Sequence, residues 1–356
     1  MIPMNRTRFA VALLPLALGC PEPGTDKLGT GDTSPPACDR IHGATGILLI
    51  ESAEGEIHFP TAAPDESTVT SSVAGPLADG TWLAVAGSAV IASADEGCNW
   101  DTTGGSLPAS GEWELVVSGA TAWAFDRLSG AMATSTDGGL SWSASSTGSP
   151  VFGSAGADPA VSGRLRAVTA QGVVGSDDGG ASWSPLGSAP PGGVASGGDT
   201  YAAAPDTHVV ITPTGLAVTR TSGESWVEAA AELVADGVVI HRVAFSVDSP
   251  DILWVSGEQE GFSALFRSID GGQTFSDVAT SRSLDLEPDA PLWPIPGAPN
   301  DLLSAWGTSE DNYGINVYHV VAGDHIATTK VGAYYHVNDA AFASDGRWVF
   351  GVDGVK

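Results

Sequence analysis

Short apolar runs, each carrying one tryptophan, recur along the chain between stretches of glycine and small polar residues. They read Thr81-Trp82-Leu83-Ala84-Val85, Thr121-Ala122-Trp123-Ala124-Phe125, Ile252-Leu253-Trp254-Val255, Leu303-Ser304-Ala305-Trp306 and Arg347-Trp348-Val349-Phe350. Apolar runs of this length under glycine-rich punctuation predict strands. A tryptophan at the same place in five of them predicts core between packed sheets. Carbohydrate stacking is the other use such rings could have.

Between the runs lies an eight-residue turn that repeats. It is complete as Ser135-Thr136-Asp137-Gly138-Gly139-Leu140-Ser141-Trp142. It returns with Ser93, Asp95, Gly97 and Trp100; with Ser176, Asp178, Gly180 and Trp183; and with Ser268, Asp270, Gly272 and Phe275. A worn copy runs from Thr219 to Trp226. The third positions fall at 95, 137, 178, 221 and 270, a spacing of 41 to 49 residues that suits four strands per repeat. Asp-Gly and Gly-Gly between short strands predict hairpins, because glycine reaches positive φ without a Cβ clash. The serine and aspartate can bond amides within the turn.

This turn resembles the Asp-box, or BNR, repeat of sialidases, sortilin-type receptors, certain glucan-cleaving hydrolases and photosystem-assembly factors. The stretch from Val243 to Trp254, with Leu265 to Gly272, resembles the hydrolase and sortilin-type repeats beyond the box itself. The resemblance covers most of residues 46–356. It implies an all-β fold, a β-propeller of four-stranded antiparallel blades, and boxes that are structural and lie away from the ligand face. Counting hairpins gives seven blades. The first hairpin lies at Ser52–Phe59, with Glu54 in the aspartate place, and the last at Val317–Val320 and His325–Thr328. Strands at 338–343 and 347–352 then have no hairpin of their own. They are expected to pair with 46–59, so that one blade mixes the two chain ends and hides open edges. Six or eight blades follow if the weak copies are misread.

Residues 1–19 read as a signal peptide: Arg6 and Arg8 precede an apolar run too short to span a bilayer. Leu16-Ala17-Leu18-Gly19-Cys20 resembles a bacterial lipobox with its leucine out of place, which points to lipidation at Cys20 or, failing that, simple cleavage. Residues 20–38 are rich in proline, glycine and threonine and read as a flexible linker, with the propeller domain over 39–356. The expectation is an exported monomer, lipid-anchored to the bacterial cell envelope at its outer membrane. The formal charge of −28, from 42 acidic and 14 basic residues, argues against nucleic acid and against membrane contact other than through the anchor. With Cys20 lipidated, Cys38 and Cys98 remain as an even pair in an oxidising compartment, either as a disulfide or as two thiols. No spacing calls for a metal or a cofactor.

Ligand chemistry is expected on the face built by the B–C loops and D–A connections. There Glu258, Glu260, Glu310, Asp311 and Tyr313 sit in the longer acidic loops. Tyr334, Tyr335 and His336 come from the final D–A connection, and His241 and Arg242 open a strand at the channel mouth. Carboxylates, tyrosines and a histidine together could hold a sugar, a peptide amine or a cation, and a solvated acidic rim would look the same. Sialidase resemblance implies three convergent arginines, an Arg-Ile-Pro motif and a Tyr/Glu pair. No Arg-Ile-Pro occurs, and Arg164, Arg166, Arg242 and Arg267 match no triad motif. No paired aspartates match the glucan hydrolases, and the chain is too acidic for the basic face of the assembly factors. The reading is therefore a non-catalytic propeller that binds an envelope protein or glycan, with no catalytic residues assigned. The alternative is a glycoside hydrolase using carboxylates on that same face.

Overall fold

The computed structural model describes residues 41–43, 46–50, 57–58, 70–108, 111–280, 290–307, 315–321, 325–331, 335–343 and 346–354. All belong to the compact unit Ala37–Lys356. Among them the alternating pattern folds into seven sheets, six of four strands and one of five.

The second sheet shows the plan. Trp113–Ser118, Thr121–Asp126, Ala131–Ser135 and Ser143–Ser146 lie side by side in chain order, each antiparallel to the one before. We call these positions A to D. The first sheet starts at Thr70–Ala74, the third at Val151–Ala157, the fourth at Gly198–Thr200, the fifth at Val238–Ser246 and the sixth at Trp293–Pro294. In the seventh, Tyr335–Phe342 and Trp348–Gly354 supply A and B, while Ile47–Ile50 and Ile57–His58 supply C and D. Ile50 pairs with Trp348 and Ile47 with Gly351, so the two ends of the chain share one sheet. Position A of each sheet packs on position A of the next, and Tyr335–Phe342 packs on Thr70–Ala74; Leu302–Gly307 carries the contact from the sixth sheet to the seventh.

Two features were not anticipated. His42–Gly43 adds a fifth, parallel strand to the outer edge of the first sheet, opposite Asn99 and Trp100. A one-turn helix, Ala231–Ala235, sits between the fourth and fifth sheets. The upstream hairpin around Glu54 lies outside the described residues, apart from its flanking strands.

The repeated turn closes on itself chemically. Ser135 Oγ accepts from Gly139 N at 2.9 Å and donates to Asp137 Oδ1 at 2.8 Å; that oxygen also accepts from Ser141 N at 3.0 Å. Ser93, Ser176 and Ser268 repeat the serine's part and Thr219 copies its amide acceptor role. These hydrogen bonds hold the carboxyls of Asp137, Asp178 and Asp270 down at about 2, led in each case by the hydroxyl four residues on. The second glycine has no room for a side chain: a Cβ on Gly180 would lie 2.0 Å from Met132 Cε in the preceding sheet. The closing aromatic joins the same seam, as where Trp183 meets Phe125 edge-on at 5.9 Å.

Between sheets lies the core. Trp82, Trp123, Trp254 and Trp348, all at position B, are 3% exposed or less. Burying each such ring stabilises the fold by roughly 1.5–3 kcal/mol before the entropy of ordering it is counted.

Candidate functional site

The A strands surround a cavity of about 1170 Å³. Its lining depends on a repeated irregularity. Register shifts occur within position A between Thr70 and Ser72, Val151 and Ala155, Ile240 and Arg242, and Val337 and Asp339. A bulge leaves an extra residue out of the ladder and re-aims it. Ser71, Phe152, His241 and Asn338 lie in these bulges, and all four line the cavity. Phe152 is 40% exposed there, a large apolar ring held against open space. The sixth sheet contributes a different wall, Pro291 to Pro294 with Pro296, in which the prolines offer no N–H.

Carboxylates on position A tie neighbouring sheets together across the channel wall. Asp339 Oδ2, in the seventh sheet, accepts from Ser72 Oγ at 2.5 Å and Val73 N at 3.1 Å in the first. Ser72 Oγ in turn accepts from Leu115 N in the second at 2.9 Å. Glu114 accepts from Ala155 N in the third at 3.4 Å. Asp199, in the fourth, accepts from the Ser154 hydroxyl in the third and from Phe245 N in the fifth at 2.8 Å. Each of these contacts satisfies an A-strand backbone N–H with a side chain from a neighbouring sheet.

Burial sets the electrostatics. It pushes the Asp339 carboxyl up to about 6, against the pull of Ser72, Val73 N–H and Arg127. It also raises Asp199, whose partners are all neutral and which Glu114 pushes further up. Arg127 pairs with Glu114 at 3.2 Å, which raises the guanidinium's own pKa. Away from the channel, His208 is fully buried between the third and fourth sheets and is lowered to about 4 by burial and by Arg166.

Of the residues expected at a ligand site, His241 and Arg242 line the cavity. Glu258 is the next-to-last residue of strand B of the fifth sheet and Glu260 sits in its B–C turn with φ 54°; neither lines the cavity. Tyr335 and His336 open strand A of the seventh sheet, where their backbone alone is described. Glu310, Asp311, Tyr313 and Tyr334 lie outside the described residues, as do Cys20 and Cys38. Cys98 is disulfide-bonded. Sequence reasoning missed Glu114, Asp199, Asp339, Arg127 and Phe152. The available signal was an acid inside an otherwise neutral strand, as in Trp113-Glu114-Leu115 and Asn338-Asp339-Ala340. Among the described residues, no group of three or more histidines, cysteines or acids is placed to hold a metal ion.

No family model and no curated protein matches this chain. Solved structures do. YCF48 from Cyanidioschyzon merolae superposes with a TM-score of 0.56 at 16% identity, over 81% of this chain and 94% of that one. An ancestral GH74 enzyme gives 0.56 at 14% identity, over 81% and 44%. The GH74 xyloglucanase from Xanthomonas campestris gives 0.55 at 15% identity, over 81% and 52%. This chain therefore spans about half the length of the two hydrolases. Together with the sheet arrangement, these likenesses define the class: the chain is a β-propeller. At such identities they speak to the fold alone.

Proposed function

We propose that this is a non-catalytic propeller that binds a protein or glycan partner at its channel mouth, on the side formed by the B–C loops and D–A connections. It has seven blades, closed by the sheet that mixes the two chain ends, and is held at the bacterial envelope by lipid on Cys20. The succession of A-strand contacts and the pairing of Ile47–Ile50 with Trp348–Gly354 support the closure. The residue types at Leu16–Cys20 and in the linker support the anchor. Cys38 is the proposed partner of Cys98.

One observation carries the non-catalytic reading. The channel carboxylates with raised pKa, Asp199 and Asp339, are each spent on backbone amides and a serine that hold neighbouring strands together. A hydrolase needs two carboxyls free to meet a glycosidic oxygen and a water or anomeric carbon. The likeness to GH74 enzymes favours hydrolysis as a second reading. The purified protein should release no reducing ends from xyloglucan and no product from a sialoside, yet retain ligands on glycan and peptide arrays, with retention lost on Phe152→Ala. Turnover abolished by Asp339→Asn or Asp199→Asn, in a variant that melts like the wild type, would establish the hydrolase instead. Metabolic labelling with palmitate, lost on Cys20→Ala, tests the anchor.

A further inference from the structure

We propose that the channel receives a primary alkylammonium group, with Asp199 and Ser246 as its acceptors and the Pro291–Trp293 wall against its alkyl chain. This rests on the reading of a ligand-binding channel above and names the chemistry of the ligand; Asp199 and Ser246 lie towards the A–B ends of their strands, deeper than Phe152 as seen from the B–C mouth.

The charge balance of the lining comes first. Glu112 and Glu114 from the second sheet, Asp199 from the fourth and Asp339 from the seventh face Arg127 from the second, and His241 and Arg242 from the fifth. Arg127 pairs with Glu114 and draws on Asp339. Asp199 is different. Its partners are the Ser154 hydroxyl and the amides of Thr200 and Phe245, all uncharged. These use three of about four acceptor positions on a carboxylate and leave its charge uncompensated in a low-dielectric wall.

A second observation lies one residue from that carboxylate's amide donor. Ser246 is fully buried, lines the channel beside Phe245, and its Oγ has no hydrogen-bond partner. A buried hydroxyl in that condition is costly, and a donor ligand relieves it. The ligand must be cationic and rich in donors. An ammonium carries three donors and no acceptor in a compact head. A guanidinium would want a carboxylate edge open to a two-point fork, and the Asp199 oxygens already face amides on either side. Pro291, which has no N–H, and the ring of Trp293 supply an apolar wall suited to methylenes. The chain's charge of −28 raises the local concentration of any cation at the mouth.

The full chain is titrated by calorimetry and thermal shift at about 0.15 M salt with cadaverine, with 1,5-pentanediol, and with the capped tripeptide Ac-Gly-Lys-Gly-NH2. Cadaverine or the tripeptide should bind and raise the melting temperature, while the diol should not. Binding by cadaverine alone assigns the ammonium to a free diamine, and binding by the tripeptide assigns it to a lysine side chain. Affinity should weaken about tenfold in Asp199→Asn, several-fold in Ser246→Ala, and stay unchanged in Glu228→Gln on the outer strand of the fourth sheet. Ser246→Ala removes no existing hydrogen bond, so it keeps the test open if Asp199→Asn does not fold. Equal binding of the diol, no binding by either amine, or affinity indifferent to Ser246→Ala would overturn the proposal. A protein or glycan ligand held equally well by wild type and Ser246→Ala would do so while leaving the binding reading intact.

Discussion

Asp339→Asn isolates the electrostatic cost of joining the last sheet to the first. In the folded protein the Asp339 carboxyl titrates at about 6, against 3.8 unperturbed. Between those values the folded chain holds a proton that the unfolded chain has released, so this group's contribution to stability falls as pH rises. The contribution is flat below about 3.8, declines up to about 6, and is flat again above it. A displacement of about two pH units corresponds to roughly 3 kcal/mol. Asparagine carries no charge to desolvate. It keeps one carbonyl acceptor, so either Val73 N–H or Ala340 N–H loses its partner, at about 1–3 kcal/mol at every pH. The difference between variant and wild type therefore separates the two effects. Urea midpoints measured from about pH 4.5 to 7.5 should show the variant gaining roughly 2 kcal/mol on the wild type across that range, starting from a deficit, because part of the decline already lies below about pH 4.5. Other titrating groups are common to both proteins and cancel. A difference that is constant with pH, or that moves the other way, would refute the claim that burial dominates over Arg127 and the amides at this position.

Three further outcomes follow from the repeats. Ser176→Ala leaves Gly180 N–H without its acceptor inside the buried turn, and should cost about 1–3 kcal/mol by denaturant unfolding, while Ser182→Ala at the exposed end of the same turn should cost much less. The carboxyls of Asp137, Asp178 and Asp270 sit at about 2 when folded, so the stability they lend is complete above about 3.8 and is lost as pH falls towards 2; acid unfolding should shift to higher pH when all three are changed to asparagine. Trp123→Ala should cost about 3–5 kcal/mol, read as a lowered melting temperature, because the ring is 2% exposed and its Nε1 also donates to Gly179 O in the next sheet's box at 3.0 Å.

The strands and the boxes were legible because their causes are local. A glycine at φ 71° or 84°, as at Gly138 and Gly139, and a serine bonded four residues ahead are properties of eight consecutive residues. That strands at 338–343 and 347–352 would share a sheet with those of 46–59 was also readable, from a hairpin count that left two strands over. The channel was not. Glu114, Asp199 and Asp339 each look like ordinary acids in exposed-edge strands, and nothing near them in sequence names Ala155, Phe245 or Val73 as the donors they meet. The bulges that aim Phe152 and His241 inward likewise depend on what the neighbouring strand does. Acidic loop residues such as Glu258 and Glu260 attracted attention because they cluster in sequence, and the fold puts them away from the cavity.

The sequence alone thus determined the repeating unit: where strands run, where they turn, and which aromatic is buried in each, since these follow from periodicity and backbone sterics within one repeat. Tertiary structure decided everything that lies between repeats. Which carboxylates lose water, which amides they bind, and where a hydroxyl such as Ser246 is left unpaired all depend on strands some 40 to 270 residues apart being brought to one axis. Desolvation and hydrogen bonding act through space, and no local pattern in the chain encodes that distance.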